Sequence, residues 1–263
     1  MFWLIYALTG AVVGVLAGLL GIGGGVVIVP LLTFTFVAQQ FPETYILHLA
    51  LGTSLATIIF TSISSFRAHH ARGAVNWQVV KLIAPGILIG TFLGTWVAAQ
   101  LTSKFLSVFF ACFLYYVAIQ MLLNIAPRPS RTLPGHVGMF GVGSFIGGVS
   151  SLVGIGGGSL TVPFLGWCNQ PIHTAVGTSA AVGLPIAIAG TLGYLTNGLF
   201  VADLPSGSIG FIYLPALLGV SVVSYLTAPL GVRLAHALPV ARLKRIFAVF
   251  LLLMGTRMVL SFF

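Results

Sequence analysis

The chain has 263 residues, of which 58% are hydrophobic and only 5% are charged. A soluble domain carries about 25% charged residues, so this composition, with a mean hydropathy of +1.13, excludes a soluble globular domain. The formal net charge of +9 comes from 11 Lys and Arg residues against Glu43 and Asp203. Because the basic residues lie in short gaps between apolar runs, they predict control of membrane topology rather than nucleic-acid binding.

Apolar runs follow one another along the chain, and a spanning helix needs about 20 such residues. The first half, residues 1–127, contains five predicted segments: 2–20, 23–38, 45–66, 77–101 and 104–125. A basic linker, 128–135, separates it from the second half, 136–263. The second half contains five more: 136–153, 157–168, 172–198, 207–235 and 242–262. We therefore predict an all-α polytopic membrane protein.

The second and seventh segments, 23–38 and 157–168, are short for a membrane span. Each closely follows a GIGGG sequence, which begins at Gly21 in the first half and at Gly154 in the second. A helical hairpin that enters and leaves near the membrane midplane explains both features. Irregular backbone at that depth is tolerated only where protein or a watery cavity surrounds it.

The two halves are similar to each other. Three stretches of the first half recur in the same order in the second: 18–30 as 151–163 at an offset of 133, 48–56 as 173–181 at an offset of 125, and 109–121 as 246–258 at an offset of 137. Ordered matches of this kind indicate an internal duplication.

The charge distribution predicts that the two halves have inverted orientations. If each half crosses the membrane an odd number of times, nine of the eleven basic residues face the cytoplasm: Arg67, Arg72, Lys81, Arg128, Arg131, Arg233, Arg242, Lys244 and Arg245. An even number of crossings splits the eleven basic residues six against five. The positive-inside rule therefore favours inverted repeats with both termini outside the cytoplasm.

Inverted repeats with glycine-interrupted segments at matching positions are typical of secondary transporters, whose substrate site lies near the midplane. Glycine permits the backbone of a broken helix, and the helix that follows presents N–H groups that favour an anion. The candidate substrate-binding residues are the glycines and hydroxyl residues of the repeated motifs: Gly21, Gly23, Gly24, Gly25, Thr53, Ser54, Gly154, Gly156, Gly157, Gly158, Thr178 and Ser179. The structural alternative is close helix packing through the glycines, with hydroxyls bonded to their own helix.

Two histidines, His48 and His173, precede the GTS elements by one helical turn. When charged they can contact an anion, and they can also relay protons; alternatively, they lie near the membrane surface. Cys112 and Cys168 lack metal-ligand spacing, so we predict no metal and no cofactor. The sequence also lacks an H-E-x-x-H motif and paired carboxylates, which argues against an enzyme.

The doubled G-x-GGG-x-x-x-VP motif, with each copy followed by a GTS element and a long apolar pair, resembles the sulfite exporter TauE/SafE family. The RGAVNW stretch at 72–77 is similar to that family's first inter-helix loop. The resemblance covers nearly the whole chain. It implies a permease of the cytoplasmic (inner) membrane, for sulfite, sulfonates or related organosulfur or carboxylate anions.

Together these features predict a transporter that exports a small anion by alternating access. An inside-negative potential favours outward movement of an anion by about 2.3 kcal/mol per charge per 100 mV, so export needs no coupled ion. An anion channel and a permease for a different small solute remain alternatives. The expected partners are the anionic substrate and the lipid bilayer, and assembly into a homo-oligomer stays open.

Overall fold

A computed structural model describes residues 2–20, 24–123, 130–237 and 240–260 of the chain. These residues form ten helices: α1 Phe2–Leu20, α2 Gly25–Ala38, α3 Ile46–His70, α4 Trp77–Gln100, α5 Ser103–Leu122, α6 His136–Val153, α7 Gly158–Trp167, α8 Ile172–Gly198, α9 Leu214–Ala237 and α10 Val240–Leu260. Each predicted segment overlaps one of them. The all-α fold class is therefore confirmed.

Within the described ranges, seven helices are long and apolar enough to cross a membrane: α1, α3, α4, α5, α6, α8 and α9. The protein is therefore a multi-pass membrane protein. Helices α2 and α7 have only 14 and 10 residues, which at 1.5 Å per residue gives roughly 21 and 15 Å. Both are shorter than the hydrocarbon core of about 30 Å.

The ninth predicted segment, 207–235, begins too early. Residues 208–213 form an antiparallel hairpin of two short strands, β1 Ser208–Ile209 and β2 Ile212–Tyr213. Gly207 and Gly210 have positive φ angles of 89° and 54°, which bend the chain at these positions. Three of the four strand residues are apolar, and the hairpin continues directly into α9, so hydropathy alone does not separate it from the helix.

The two halves use equivalent residues to pack against each other. Helix α1 lies along α9, and α4 lies along α6. Gly10 of α1 faces the carbonyl oxygen of Val220, and Gly143 of α6 faces that of Ile83. Gly143 is the counterpart of Gly10 at the offset of 133, and Val220 is the counterpart of Ile83 at the offset of 137. Exchanging the two halves therefore maps one helix pair onto the other.

Helices α3 and α8, the third helices of the two halves, form the centre of the molecule. In the most apolar 18-residue stretch of each helix, 83% of the residues of α3 and 67% of those of α8 are buried, against 39–44% in the other spanning helices. Leu55 packs against Gly190, and Ser62 packs against Gly183. Residue numbers rise along α3 as they fall along α8, so the two helices are antiparallel.

Candidate functional site

A glycine in the left-handed conformation starts each short helix. Gly24 is the N-cap of α2 with φ 78°, and Gly157 is the N-cap of α7 with φ 73°. Residues with a Cβ rarely adopt these angles, which explains the glycines. Neither N-cap supplies a side-chain hydrogen bond to its helix. The first N–H groups of α2 and α7 therefore keep their capacity to bind another acceptor.

The N-cap glycine of each short helix packs against the preceding long helix. Gly24 packs against the side chain of Val13 in α1, and Gly157 packs against that of Ile146 in α6. Val13 and Ile146 are counterparts at the offset of 133. Each short helix therefore begins beside the helix that precedes it.

The first turn of α2 meets the glycine break before α7. A Cβ atom added to Gly25 would collide with the carbonyl group of Gly154 and with the Cα atom of Ile155, so the two backbones are closely packed. That carbonyl oxygen also accepts a hydrogen bond of 2.7 Å from the Ser54 hydroxyl. Three of the predicted site residues, one from α2, one from α3 and one from the second break, therefore meet at a single point.

The remaining predicted glycines divide into two groups. Gly156 and Gly158 are buried next to Gly157 at the start of α7. Gly21 and Gly23 lie outside the described residues.

The threonines of the two GTS elements bind loops of the opposite half. The Thr53 hydroxyl accepts a hydrogen bond of 2.9 Å from the backbone N–H of Tyr213, immediately before α9. The Thr178 hydroxyl accepts an equivalent bond of 2.9 Å from the N–H of Asn76, immediately before α4. We call these two contacts the threonine clasps. Neither sequence interpretation included this contact with a loop of the opposite half.

The glycine of each GTS element permits its clasp. A Cβ atom at Gly52 would collide with the carbonyl oxygen of Phe211, and one at Gly177 would collide with that of Ala74. Glycine and threonine therefore act together in holding the opposite loop. Ser179, the serine of the second GTS element, is fully buried in α8.

The structure does not bring the two predicted histidines together. His48 is buried, with Nε2 3.1 Å from the carbonyl oxygen of Ala98, and its ring centroid lies 5.1 Å from that of Phe211. His173 is exposed in the first turn of α8. Because α3 and α8 are antiparallel, the starts of these helices lie near opposite ends of the pair. A shared anion contact by both histidines is therefore excluded in this conformation.

The breaks contain no charged side chain among the described residues. Every charged residue whose side chain the structure describes is exposed. In the same part of the chain, no three His, Cys, Asp or Glu residues are grouped to hold a metal ion. Electrostatic attraction at the breaks therefore comes from backbone dipoles and hydroxyl groups.

Sequence reasoning missed three serines around the second break: Ser62 on α3, Ser150 on α6 and Ser159 on α7. All three are buried, and their hydroxyls lack a hydrogen-bond partner in the part of the chain that the structure describes. Comparing each with its apolar counterpart in the other half would have revealed them.

Seven potential spans and two short helices that start at paired glycine breaks define a polytopic membrane transporter. The family model for "Sulfite exporter TauE/SafE" matches residues 6–258. The chain therefore belongs to the TauE/SafE family.

Related proteins agree with this assignment. A probable membrane transporter protein of Haemophilus influenzae is 39% identical, and the match covers 99% of both chains. One of Methanocaldococcus jannaschii is 29% identical over 96% of this chain and 94% of its own length. One of Bacillus subtilis is 28% identical over 75% of this chain and 80% of its own length. No solved structure matches the chain. The family and these relatives are membrane transporters, not enzymes.

Proposed function

We propose that this protein exports a small anion across the cytoplasmic membrane, by alternating access at a midplane site between two inverted repeats. The substrate is sulfite, an organosulfonate or a related sulfur or carboxylate anion. The observation that carries the proposal is the contact between Gly25 and Gly154–Ile155. This contact brings the N-terminal turn of α2 next to the break that precedes α7.

The chemistry of the breaks favours an anion. A helix N-terminus carries the equivalent of about half a positive charge, and backbone N–H groups there are ready donors to an oxyanion. Since the described charged side chains are all exposed, no fixed cation holds the ligand. Binding through dipoles and hydroxyls is weak enough to permit release, as a carrier requires.

The threonine clasps support alternating access. In the antiparallel pair of α3 and α8, Ser62 lies beside Gly183. Arg67 follows Ser62 by five residues and Thr178 precedes Gly183 by five residues, so Thr178 and Arg67 lie at about the same level along the pair. Arg67 and Thr53 are 14 residues apart in α3, or roughly 21 Å along the helix at 1.5 Å per residue. The two clasps thus join the halves at different depths, so one can open while the other stays closed.

The antiparallel packing of α3 and α8 supports the inverted repeats and, with the charge distribution, both termini outside the cytoplasm. Single cysteines at Arg72 and Arg245 test this topology in intact cells. An impermeant thiol reagent should label neither site until the membrane is opened. Labelling of only one site in intact cells contradicts the inverted arrangement.

Flux measurements test the proposed transport. Proteoliposomes loaded with sulfite, methanesulfonate or acetate should release at least one of these anions, faster when the inside is made negative. Gly25→Ala should abolish this flux, because the new methyl group collides with the carbonyl of Gly154. Gly141→Ala is the matched control, because Gly141 has open space around it. Absence of potential-dependent flux for all three anions contradicts the proposal.

A further inference from the structure

We infer that the anion-binding subsite is asymmetric: it lies at the N-terminus of α7 and takes an oxyanion through the hydroxyls of Ser62, Ser150 and Ser159. The inference rests on the proposed function and refines it. The first break, at the start of α2, then contributes packing rather than side-chain ligands.

The three serines converge on the second break from three helices. A methyl group added to Gly183 would lie 2.7 Å from Ser62 Oγ and 3.2 Å from the carbonyl oxygen of Gly156. A methyl group added to Gly157, the N-cap of α7, would lie 3.4 Å from Ser150 Oγ. Ser159 belongs to the first turn of α7 itself. Hydroxyls from α3 and α6 therefore border the same end of α7.

These hydroxyls are buried without a hydrogen-bond partner. The exposed fractions are 2% for Ser62, 0% for Ser150 and 6% for Ser159, and within the described ranges none of their oxygens has a partner. A serine in a helix normally donates to a carbonyl one turn earlier, and leaving a buried hydroxyl unsatisfied is unfavourable. Three such groups at one helix N-terminus are donors available to a ligand.

The corresponding positions of the first half are apolar. At an offset of 133, Ser150 corresponds to Ala17 and Ser159 to Val26. Ser62 corresponds to Ala187 at the offset of 125.

Ala17 lies against Gly24 as Ser150 lies against Gly157. Among the described residues, Gly24 therefore packs on α1 as Gly157 packs on α6, with a methyl group in place of the Ser150 hydroxyl. Packing of the hairpin does not explain the hydroxyls at the second break.

The subsite suits an anion better than a cation or a neutral apolar solute. The N–H groups at the start of α7 are positive, and each serine can turn its hydrogen towards an oxyanion oxygen. Hydrogen bonds to a charged acceptor are stronger than those between neutral groups. An oxyanion bound here would satisfy hydroxyls that otherwise stay unpaired.

Calorimetric titration of the purified full-length protein with sulfite, and separately with methanesulfonate, tests the subsite. Ser62→Ala, Ser150→Ala and Ser159→Ala should each weaken binding about tenfold or more, the effect of losing a hydrogen bond to a charged group. Ser107→Ala is the matched control, because this α5 hydroxyl is equally buried and, in the described part of the chain, equally unpartnered. It should leave the affinity unchanged.

Thermal unfolding without ligand gives the second readout. Each serine variant should be at least as stable as the unmodified protein, because the substitution removes an unsatisfied buried hydroxyl. The three variants lie on different helices, so one that fails to fold leaves two to decide the question.

The possible failures are distinguishable. If the unmodified protein binds and transports an anion while all the folded serine variants bind it equally well, the asymmetric subsite is wrong and the proposed function stands. If Ser107→Ala weakens binding as much as the others, the subsite is also wrong. If the unmodified protein neither binds nor transports these anions, the proposed function and the subsite fail together.

Discussion

The threonine clasps should make a large contribution to stability. Replacing Thr53 or Thr178 by valine keeps the side-chain volume but removes the oxygen that accepts from Tyr213 or Asn76. Both threonines are fully buried. The donor N–H of the opposite loop, in a partly buried contact, would then lose its partner.

A buried N–H left without a partner costs about 1–3 kcal/mol. For a chain of this size, each kcal/mol shifts the melting temperature by roughly 2–4 °C, so each substitution should lower it by about 2–12 °C. Thr57→Val is the matched control. Thr57 is equally buried, but its hydroxyl donates to the Thr53 carbonyl of its own helix, and that carbonyl keeps its helical partner. We expect less than about 1 kcal/mol for this change.

Melting in detergent at one fixed scan rate, followed by tryptophan fluorescence, measures the effect, since membrane proteins often unfold irreversibly. Thr53→Ser and Thr178→Ser should remain close to the unmodified protein because they keep the hydroxyl. If both valine variants have the same melting temperature as Thr57→Val, the clasps do not contribute to stability. If their stability is unchanged but anion affinity falls, the threonines are ligands, as the sequence interpretation proposed.

Two further predictions concern the ends of α7. Gly157→Ala should lower the free energy of unfolding by about 1–2 kcal/mol, because φ is 73° and the new methyl group collides with Ile186. The control is Gly141→Ala, which lies in open space and should change the free energy of unfolding little in parallel melts. At the other end, burial raises the pKa of the Cys168 thiol, and the Arg131 guanidinium lowers this pKa in part. Less thiolate is then present near pH 8, so maleimide should label Cys168 slowly in a variant whose other cysteine is serine. Adding Arg131→Ala to this variant should slow the labelling further. Faster labelling after Arg131→Ala would refute the electrostatic role of Arg131.

The sequence predicted those parts of the fold that depend on local composition. Long apolar runs gave the spanning helices, and the repeated GIGGG clusters gave the two places where α2 and α7 begin. Helix ends were less predictable. Helix α3 continues to His70, beyond the predicted end at 66, because a basic last turn interacts favourably with the negative end of the helix dipole.

Contacts between distant residues could not be predicted from local patterns. Thr53 binds a residue 160 positions away, and Thr178 binds one 102 positions away. A GTS element in an apolar helix shows only that polar groups are present. Whether they bind a ligand, their own helix or a remote loop depends on the packing of the two halves.

The duplication explains both what the sequence revealed and what it concealed. Motifs shared by the halves must serve what the halves have in common, which here is the packing of α1 on α9 and of α4 on α6, the two glycine breaks and the two clasps. A site whose polar groups have apolar counterparts at the equivalent positions does not appear in shared motifs. Around the start of α7, serines occupy positions where the first half has apolar residues, Ala17 in place of Ser150 and Val26 in place of Ser159. In the asymmetric subsite that we infer, anion binding rather than packing accounts for this difference in polarity.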